Sequence, residues 1–381
     1  MKKNFILAPG PTPVPQNVLL AMAQPIIHHR TPQFKEIFKQ MNENLKYVFQ
    51  TKNDIFTFAA SGTGAMEAVV VNLLSAKDKA ICIQSGKFGE RWTELCKAYC
   101  VDTVIIDVEW GKAVEIARVK EVLEKHKDAK VIFSTYCETS TGVVTDIKAI
   151  ADLVKDTDTV LVTDAVSALG GMDLQTDNWN IDVVVAGSQK GLMIPPGLAF
   201  CAVSSKAQKL VEVSKTSRYY FDFCLAKKAL DKSDTAFTPA IGLCIGLNEA
   251  LKMIKQETLE KVFQRHSCLA KAARAGVEAI GLKLFAETPA DVVTAVCVPE
   301  GIDGAELVKI MRDDYGVTVA GGQAELKGKI FRLAQLGYMN EFDILTGLNC
   351  LEIVLTKLGY KFSLGKSVAA AEAVFLTYTQ T

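Results

Sequence analysis

Two strand-like stretches that each lead into a charged side chain decide the fold: Thr159-Val160-Leu161-Val162-Thr163 runs into Asp164, and Ile181-Asp182-Val183-Val184-Val185-Ala186 runs into Gly187-Ser188-Gln189-Lys190. Largely apolar runs of this length are typical of parallel strands covered on both faces. The carboxyl ends of parallel strands share one sheet edge, and ligands bind at that edge in α/β proteins. A lone buried charge is costly, so Asp164 and Lys190 at this edge indicate either a ligand site or contact with solvent.

Further strand-like runs alternate with amphipathic helices over the first 203 residues: Ile55–Ala59, Ala80–Ile83, Thr103–Val108, Lys130–Thr135 and Ala199–Val203. The clearest helix is predicted over Thr31–Gln50, with Thr31 as N-cap and Pro32 as the first helical residue. This alternation predicts a doubly wound, mostly parallel sheet. After about residue 204 a mostly helical stretch precedes short strands and helices, which favours a smaller α+β unit.

Composition excludes several classes of protein. The 381 residues carry 43 Lys plus Arg and 43 Asp plus Glu, so the net charge gives no reason to expect nucleic acid or an anionic membrane as partner. No apolar run is long enough to cross a bilayer, and the apolar start is interrupted by Pro9-Gly10-Pro11 before it could form a signal peptide. Ten cysteines without a Cys-x-x-Cys pair suit a reducing compartment. We expect a cytoplasmic protein of two domains.

Two further features could bind anions. Ser61-Gly62-Thr63-Gly64 follows a predicted strand and opens a helix, where free backbone N–H groups suit a phosphate. It lacks the Walker lysine and the third glycine of the dinucleotide fingerprint. Arg332, inside a short apolar strand, can hold a carboxylate with two hydrogen bonds. Each feature alone has an ordinary interpretation, namely a plain strand-to-helix turn and a structural ion pair.

Taken together, the four features suit one cofactor. Asp164 precedes Lys190 by 26 residues, one βα step earlier in the predicted sheet. A phosphate cradle, a carboxylate for a pyridine nitrogen and a lysine for an aldehyde match pyridoxal 5′-phosphate, and Arg332 adds a group that binds a substrate carboxylate. No metal site is predicted.

The chain resembles the class V aminotransferases of the aspartate-aminotransferase fold (fold type I), and within them the alanine–glyoxylate and serine–pyruvate branch. The resemblance covers nearly the whole chain. The matching stretches are residues 8–13, 61–68, 88–91, 138–142, 164–171, 187–190 and 321–322 before Arg332. It implies a large cofactor-binding domain over residues 16–257, and a small α+β domain made of residues 1–15 and 258–381.

The resemblance also implies how the cofactor would be held. Lys190 would form a Schiff base with pyridoxal 5′-phosphate and later move the proton at the substrate α-carbon, while Asp164 would pair with the pyridine nitrogen. The residues implied to surround the rest of the cofactor are Ser61, Gly62, Thr63 and Gln189 at the phosphate, Thr139 near the ring hydroxyl and Phe88 stacked on the ring.

The remaining implied roles concern the substrate and a second subunit. Arg332 and the backbone of Gly10 would hold the substrate carboxylate. Thr235 and Thr238 match a segment that reaches the phosphate of the partner subunit, which implies a homodimer with shared sites. Arg30, in His28-His29-Arg30, is a candidate for contact with the second group of the substrate, and the two histidine rings are expected to face apart.

The predicted reaction is transamination between a small amino acid, namely alanine, serine or aspartate, and a 2-oxo acid such as glyoxylate or pyruvate. A 2-aminoethylphosphonate–pyruvate transaminase is the main alternative, since residues 138–142 and 168–171 resemble that enzyme too. A cysteine desulfurase is disfavoured because Gln189 stands where those relatives carry His. The third alternative is a non-catalytic cofactor-binding protein.

Overall fold

The computed structural model describes residues 3–378; residues 1–2 and 379–381, the outermost part of the predicted small domain, lie outside the described residues. The strands are β1 (Phe5–Ile6), β2 (Asp54–Phe58), β3 (Lys79–Gln84), β4 (Asp102–Asp107), β5 (Val131–Thr135), β6 (Cys137–Glu138), β7 (Val143–Val144), β8 (Val160–Asp164), β9 (Val183–Gly187), β10 (Ala199–Val203), β11 (Val293–Cys297), β12 (Val317–Thr318), β13 (Ala320–Gly321) and β14 (Ile330–Ala334). The helices are α1 (Gln16–Met22), α2 (Pro32–Phe49), α3 (Gly62–Leu73), α4 (Lys87–Ala98), α5 (Ile116–Lys125), α6 (Ile147–Val154), α7 (Ser205–Val213), α8 (Phe223–Leu230), α9 (Ile241–Glu257), α10 (Leu259–Ala279), α11 (Gly304–Asp313), α12 (Glu341–Lys357) and α13 (Lys366–Tyr378), with a 3₁₀ turn at Ala324–Leu326.

A seven-stranded sheet in the order β2-β10-β9-β8-β5-β3-β4 organises the first 203 residues. The five strands from β9 to β4 pair in parallel, whereas β10 runs antiparallel to both β9 and β2. Every residue of β5, β8, β9 and β10 is buried. The predicted α/β class with a mostly parallel sheet is therefore confirmed.

Helices cover both faces of this sheet. Val160 and Val162 pack into one apolar cluster with Val69 and Trp92, while Leu161, between them, packs into another. Successive strand residues point to opposite faces, so strands buried on both sides read as continuous apolar runs. This burial explains why the sequence pattern located the central strands.

Helix α2 begins with the predicted N-cap and first residue. Thr31 is the N-cap, its hydroxyl accepts a hydrogen bond from the backbone N–H of Phe34, and Pro32 is the first helical residue. The helix ends at Phe49, and its C-cap residue Gln50 adopts a left-handed backbone conformation. The amphipathic stripe of α2 packs into the core through Phe34, Phe38 and other apolar residues.

A second, three-stranded antiparallel sheet (β11-β14-β13) lies in the C-terminal part of the chain, where α10 to α13 share an apolar cluster. The N-terminal strand joins this region: β1 pairs in parallel with β12, and the backbone N–H of Ala334 donates to the carbonyl of Leu7 at 2.7 Å. The predicted domain boundaries themselves stay a prediction. Among the helices within residues 3–378, none has the length and apolar character needed to cross a membrane.

Candidate active site

The predicted charged residues meet at one edge of the large sheet. Asp164 is the last residue of β8, and Lys190 follows β9 by three residues. Because β8 and β9 are parallel neighbours, their carboxyl ends lie side by side. Helix α3 begins at the same edge, since β2 runs in the same direction as β9.

These elements form the walls of a cavity of about 230 Å³. Nine of the predicted site residues line it: Gly10, Ser61, Gly62, Thr63, Phe88, Thr139, Asp164, Gln189 and Lys190. Arg332 adjoins the cavity, because its Nη1 donates a hydrogen bond to the Thr139 carbonyl at 2.8 Å. The fold thus brings together residues that are up to 322 positions apart in the chain (Gly10 to Arg332).

Lys190 is a buried amine. Its side chain is 9% exposed, and Nζ donates to the carbonyl of Pro9. Burial lowers the pKa of Lys190 to about 8, and Arg332 adds to this effect, whereas Cys137 and Asp164 oppose it. Gly10 approaches so closely that a Cβ there would lie 2.6 Å from Nζ. An amine with such a pKa is partly neutral near pH 7 and can attack a carbonyl.

Asp164 is a buried carboxylate with its own backbone support. Its Oδ1 accepts a hydrogen bond from the N–H of Val166 at 2.8 Å. Burial raises the pKa of Asp164 to about 6, while Val166, Arg91 and Lys190 favour the charged form. Such a carboxylate remains largely ionised at neutral pH and favours a cationic partner, as a protonated pyridine nitrogen would be.

The start of α3 offers an anion cradle. Ser61 is the N-cap but makes no side-chain capping bond, so the first backbone N–H groups of the helix have no cap. Gly62 lies close to Val166, where a Cβ would come within 2.7 Å. The side-chain oxygen of Gln189 is buried without a hydrogen-bond partner among the described residues. The free N–H groups at the start of α3 suit a phosphate. The Gln189 oxygen only accepts hydrogen bonds, so the Gln189 side chain would meet a phosphate through its NH2 group.

Glu138 supports the wall of the cavity that carries Phe88. This fully buried carboxylate accepts hydrogen bonds from the backbone N–H groups of Phe88, Gly89 and Ser140 at 2.9–3.1 Å, and from the Ser140 hydroxyl. Burial raises the pKa of Glu138, and these donors oppose the rise. Because two of the donors belong to the first turn of α4, Glu138 fixes the start of that helix and with it Phe88.

Two more contacts complete the wall. Arg91 lies over the Phe88 ring, 4.8 Å from its centroid, and donates to the Thr63 hydroxyl at 3.1 Å. The hydroxyl oxygens of Thr139 and Ser167 are 2.5 Å apart. All five of these residues line the cavity.

Arg332 is a buried guanidinium held by backbone carbonyls. Its side chain is 5% exposed and donates to the carbonyls of Gly321 and Thr139 at 2.8–3.2 Å. Within residues 3–378 it forms no ion pair with a carboxylate. Burial lowers the pKa of Arg332 to about 10, and Glu138 opposes this. A desolvated cation of this kind suits a ligand carboxylate.

Three predicted residues lie elsewhere within this chain. Thr235 and Thr238 line a separate cavity. Arg30 forms an ion pair with Asp234 at 2.7 Å and donates to the Thr235 carbonyl at 3.2 Å, so it contacts the segment that contains Thr235 and Thr238. The expectation that His28 and His29 face apart was wrong: residues 28–30 lie outside the helices and strands, and the rings stack at 4.6 Å.

Arg91, Cys137 and Ser167 line the cavity and had no predicted role, and neither had Glu138, which supports the start of α4 from behind it. Arg91 follows Phe88 by three positions on α4, and that spacing places them on one helix face. Cys137, between Tyr136 and Glu138 in a polar stretch, carries no sequence signal of its own. Among the described residues, no group of three or more His, Cys, Asp and Glu side chains could hold a metal ion.

Comparison with known proteins agrees with this geometry: the chain belongs to the class V aminotransferases, whose family model, "Aminotransferase class-V", matches residues 5–336. A Synechococcus protein named "Soluble hydrogenase, small subunit" is 42% identical, over 98% of this chain and 99% of that protein. The L-aspartate–glyoxylate aminotransferase of Paracoccus denitrificans is 37% identical, over 97% and 96%. The crystal structure of ureidoglycine–glyoxylate aminotransferase from Bacillus subtilis superposes with a TM-score of 0.94 at 29% identity, over 99% of both chains. The fold is that of the fold type I aminotransferases, and the protein is an aminotransferase.

Proposed function

We propose that this aminotransferase uses pyridoxal 5′-phosphate to move an amino group from a small amino acid, namely alanine, serine or aspartate, to a 2-oxo acid such as glyoxylate or pyruvate. The observation that carries the proposal is that Lys190 and Asp164 line one cavity at the carboxyl ends of neighbouring parallel strands. The Paracoccus and Bacillus relatives are both named as glyoxylate aminotransferases, which supports glyoxylate as the acceptor.

The residues of the cavity fit the cofactor. Asp164 would hold the ring nitrogen, Phe88 the ring face, and the Thr139 and Ser167 hydroxyls the ring hydroxyl. The start of α3 from Ser61 to Thr63, with Gln189, would hold the phosphate. When bound, the cofactor supplies an aldehyde that bonds amines and a ring that withdraws electrons from the substrate α-carbon.

The chain's own groups would then do three things. Arg332 binds the α-carboxylate shared by donor and acceptor, and so orients the α-carbon. Lys190, whose pKa of about 8 lies near neutral, accepts the proton at that carbon and returns it. Asp164, largely ionised at neutral pH, would keep the ring nitrogen protonated.

We also propose a homodimer with shared sites. Thr235 and Thr238 do not line the cavity of their own chain, and the Thr235 hydroxyl oxygen is buried with no partner among the described residues. A contribution of this segment to the cavity of a second subunit would give that hydroxyl a partner.

The test is the variant Lys190→Ala. We expect kcat to fall by about a thousandfold or more, and the visible absorbance of the lysine-bound cofactor to disappear. The exposed Lys309→Ala, on α11, is the control and should keep both. A panel of amino acids added to the wild-type holoenzyme would identify the donor by loss of that absorbance. Retention of turnover by Lys190→Ala would refute the proposal.

A further inference from the structure

Helix α10 carries two adjacent residues that both bind Gly337. The N–H of Gly337 donates to His266 Nε2 at 3.0 Å, and the carbonyl of Gly337 accepts from Arg265 Nη1 at 3.0 Å. His266 Nδ1 lies 2.7 Å from the Val262 carbonyl and must donate to it, so the ring is neutral and its Nε2 is free to accept. Both backbone polar groups of one glycine are thus held by one helix.

Gly337 in turn lies against the Lys190 loop, by which we mean residues 188–198 between β9 and β10. Its φ is +79°, and a Cβ there would come within 3.0 Å of the Lys190 carbonyl oxygen and 3.1 Å of the Thr12 hydroxyl. The same Thr12 hydroxyl donates to the Lys190 carbonyl at 2.9 Å, and the Thr12 N–H donates to the Gln189 carbonyl at 3.2 Å. The backbone of Lys190 is therefore enclosed between Thr12 and Gly337.

Arg265 also reaches the end of another helix. Its Nε and Nη2 bind the two carboxylate oxygens of Glu257, the last residue of α9, at 2.7 and 3.0 Å. Its Nη1 donates to the carbonyl of Met339 at 3.0 Å as well as to Gly337. A guanidinium that binds both oxygens of a carboxylate has little freedom to move. Arg265 therefore fixes the turn of residues 337–339 relative to α9 and α10.

We propose that Arg265 and His266 are positioning residues. Their hydrogen bonds to Gly337 hold the turn of residues 337–339 in contact with the backbone of Lys190, and this contact keeps the Lys190 side chain directed into the cavity. Neither side chain lines the cavity. The effect on turnover rests on the proposed function, whereas the effect on the Lys190 loop does not.

The matched control lies on the same helix. Arg274 donates to the carbonyl of Ala290 at 3.1 Å and to Asp291 at 3.0 Å, so its loss also removes an ion pair and a backbone contact from α10. Arg265→Gln and Arg274→Gln are therefore compared, with Arg265→Lys as the conservative replacement. Global stability of each full-length protein is measured by denaturant unfolding.

The deciding measurement is amide hydrogen exchange of the full-length protein as purified. We expect peptides that contain residues 189–194 and residue 12 to exchange about fivefold or more faster in Arg265→Gln than in Arg274→Gln, with Arg265→Lys in between. Equal exchange of these peptides in the two glutamine variants would overturn the proposal.

Kinetics give a second, separate readout. Because Arg265 does not contact substrate, Arg265→Gln should lower kcat about tenfold and leave KM for the 2-oxo acid within about twofold. Arg274→Gln should change neither. Equal kinetics in both glutamine variants would count against the positioning role while leaving the proposed function intact. Turnover by Lys190→Ala would refute the function without altering the exchange result.

Discussion

The two charged side chains at the centre of the cavity, Lys190 and Asp164, are both disfavoured in their charged forms by burial. The pKa of the amine moves down to about 8, and that of the carboxyl moves up to about 6. Both pKa values thus lie closer to neutral pH than usual, and for Lys190 this favours proton transfer. The free energy that this costs the folded chain is a measurable property of the site.

Asp164→Asn should stabilise the cofactor-free protein. A carboxyl whose pKa is raised by folding stabilises the fold below its unfolded pKa, and this contribution is lost as the pH rises through about 6. Replacing the carboxylate by an isosteric amide should therefore add up to about 3 kcal/mol at pH 8 and clearly less at pH 5. Urea unfolding of both proteins at the two pH values measures this. An equal or lower stability of the variant at pH 8 would contradict the prediction.

The lowered pKa of Lys190 should also appear in cofactor loading. Only the neutral amine attacks an aldehyde, so the rate of pyridoxal 5′-phosphate capture by the cofactor-free protein should rise with pH, reach half of its plateau near pH 8 and level off about one pH unit higher. Stopped-flow absorbance would follow the capture. A rate that keeps rising to pH 10 would mean that the amine has the pKa of an exposed lysine.

At the scale of elements, the site depends on where helices begin. Helix α3 begins at an uncapped Ser61, which leaves its N–H groups for a ligand. Helix α4 begins at residues whose N–H groups are taken by Glu138. One helix start is thus open to an anion, and the other is closed by a buried carboxylate of the chain itself.

Glu138→Gln should loosen the wall that carries Phe88. The amide keeps the shape of the side chain but loses its charge and one of the two acceptor oxygens, so at least one of its donors is left unpaired. We expect cofactor affinity to fall about tenfold, as measured by fluorescence titration. Glu90→Gln, in the same first turn of α4 but paired with the part-exposed Lys87, is the control and should not change affinity. An unchanged affinity in Glu138→Gln would show that other contacts place Phe88.

Much of this architecture could be predicted because buried strands and helix caps leave local patterns. The strands ending at Asp164 and Val203 were located within a residue or two, and so was α2. The antiparallel direction of β10 could not be predicted, since an apolar run buried on both faces reads the same in either direction. Glu138 and Arg91 lacked assigned roles because Gly89, which donates to Glu138, and Thr63, which accepts from Arg91, become their neighbours only through folding.

At the scale of the whole molecule, the site residues divide into two groups. One group lines the Lys190 cavity, and the other, Thr235 and Thr238, lines a separate cavity of the same chain. The Arg30–Asp234 ion pair joins the second group to the segment before α2. A second subunit is the arrangement that we propose to unite the two groups.

Subunit mixing tests the shared site. Lys190→Ala and Thr238→Val homodimers should each be impaired, the second by loss of a phosphate contact. Unfolded and refolded together, they should form mixed dimers with one intact site, so that about a quarter of wild-type activity returns from a statistical mixture. Separate refolding followed by mixing is the control. No recovery from co-refolded subunits would place Thr238 outside the partner's site.

The pairing of β1 with β12 has a consequence for synthesis of the protein. A ribosome releases Phe5–Ile6 long before Val317–Thr318, and Leu7 long before Ala334, to which it is hydrogen-bonded. Pro9, whose carbonyl accepts a hydrogen bond from Lys190, is carried on this early segment. The large sheet can assemble during translation, but β1 has to wait until Val317–Thr318 has been synthesised. A nascent chain that stops before residue 317 therefore lacks the strand with which β1 pairs.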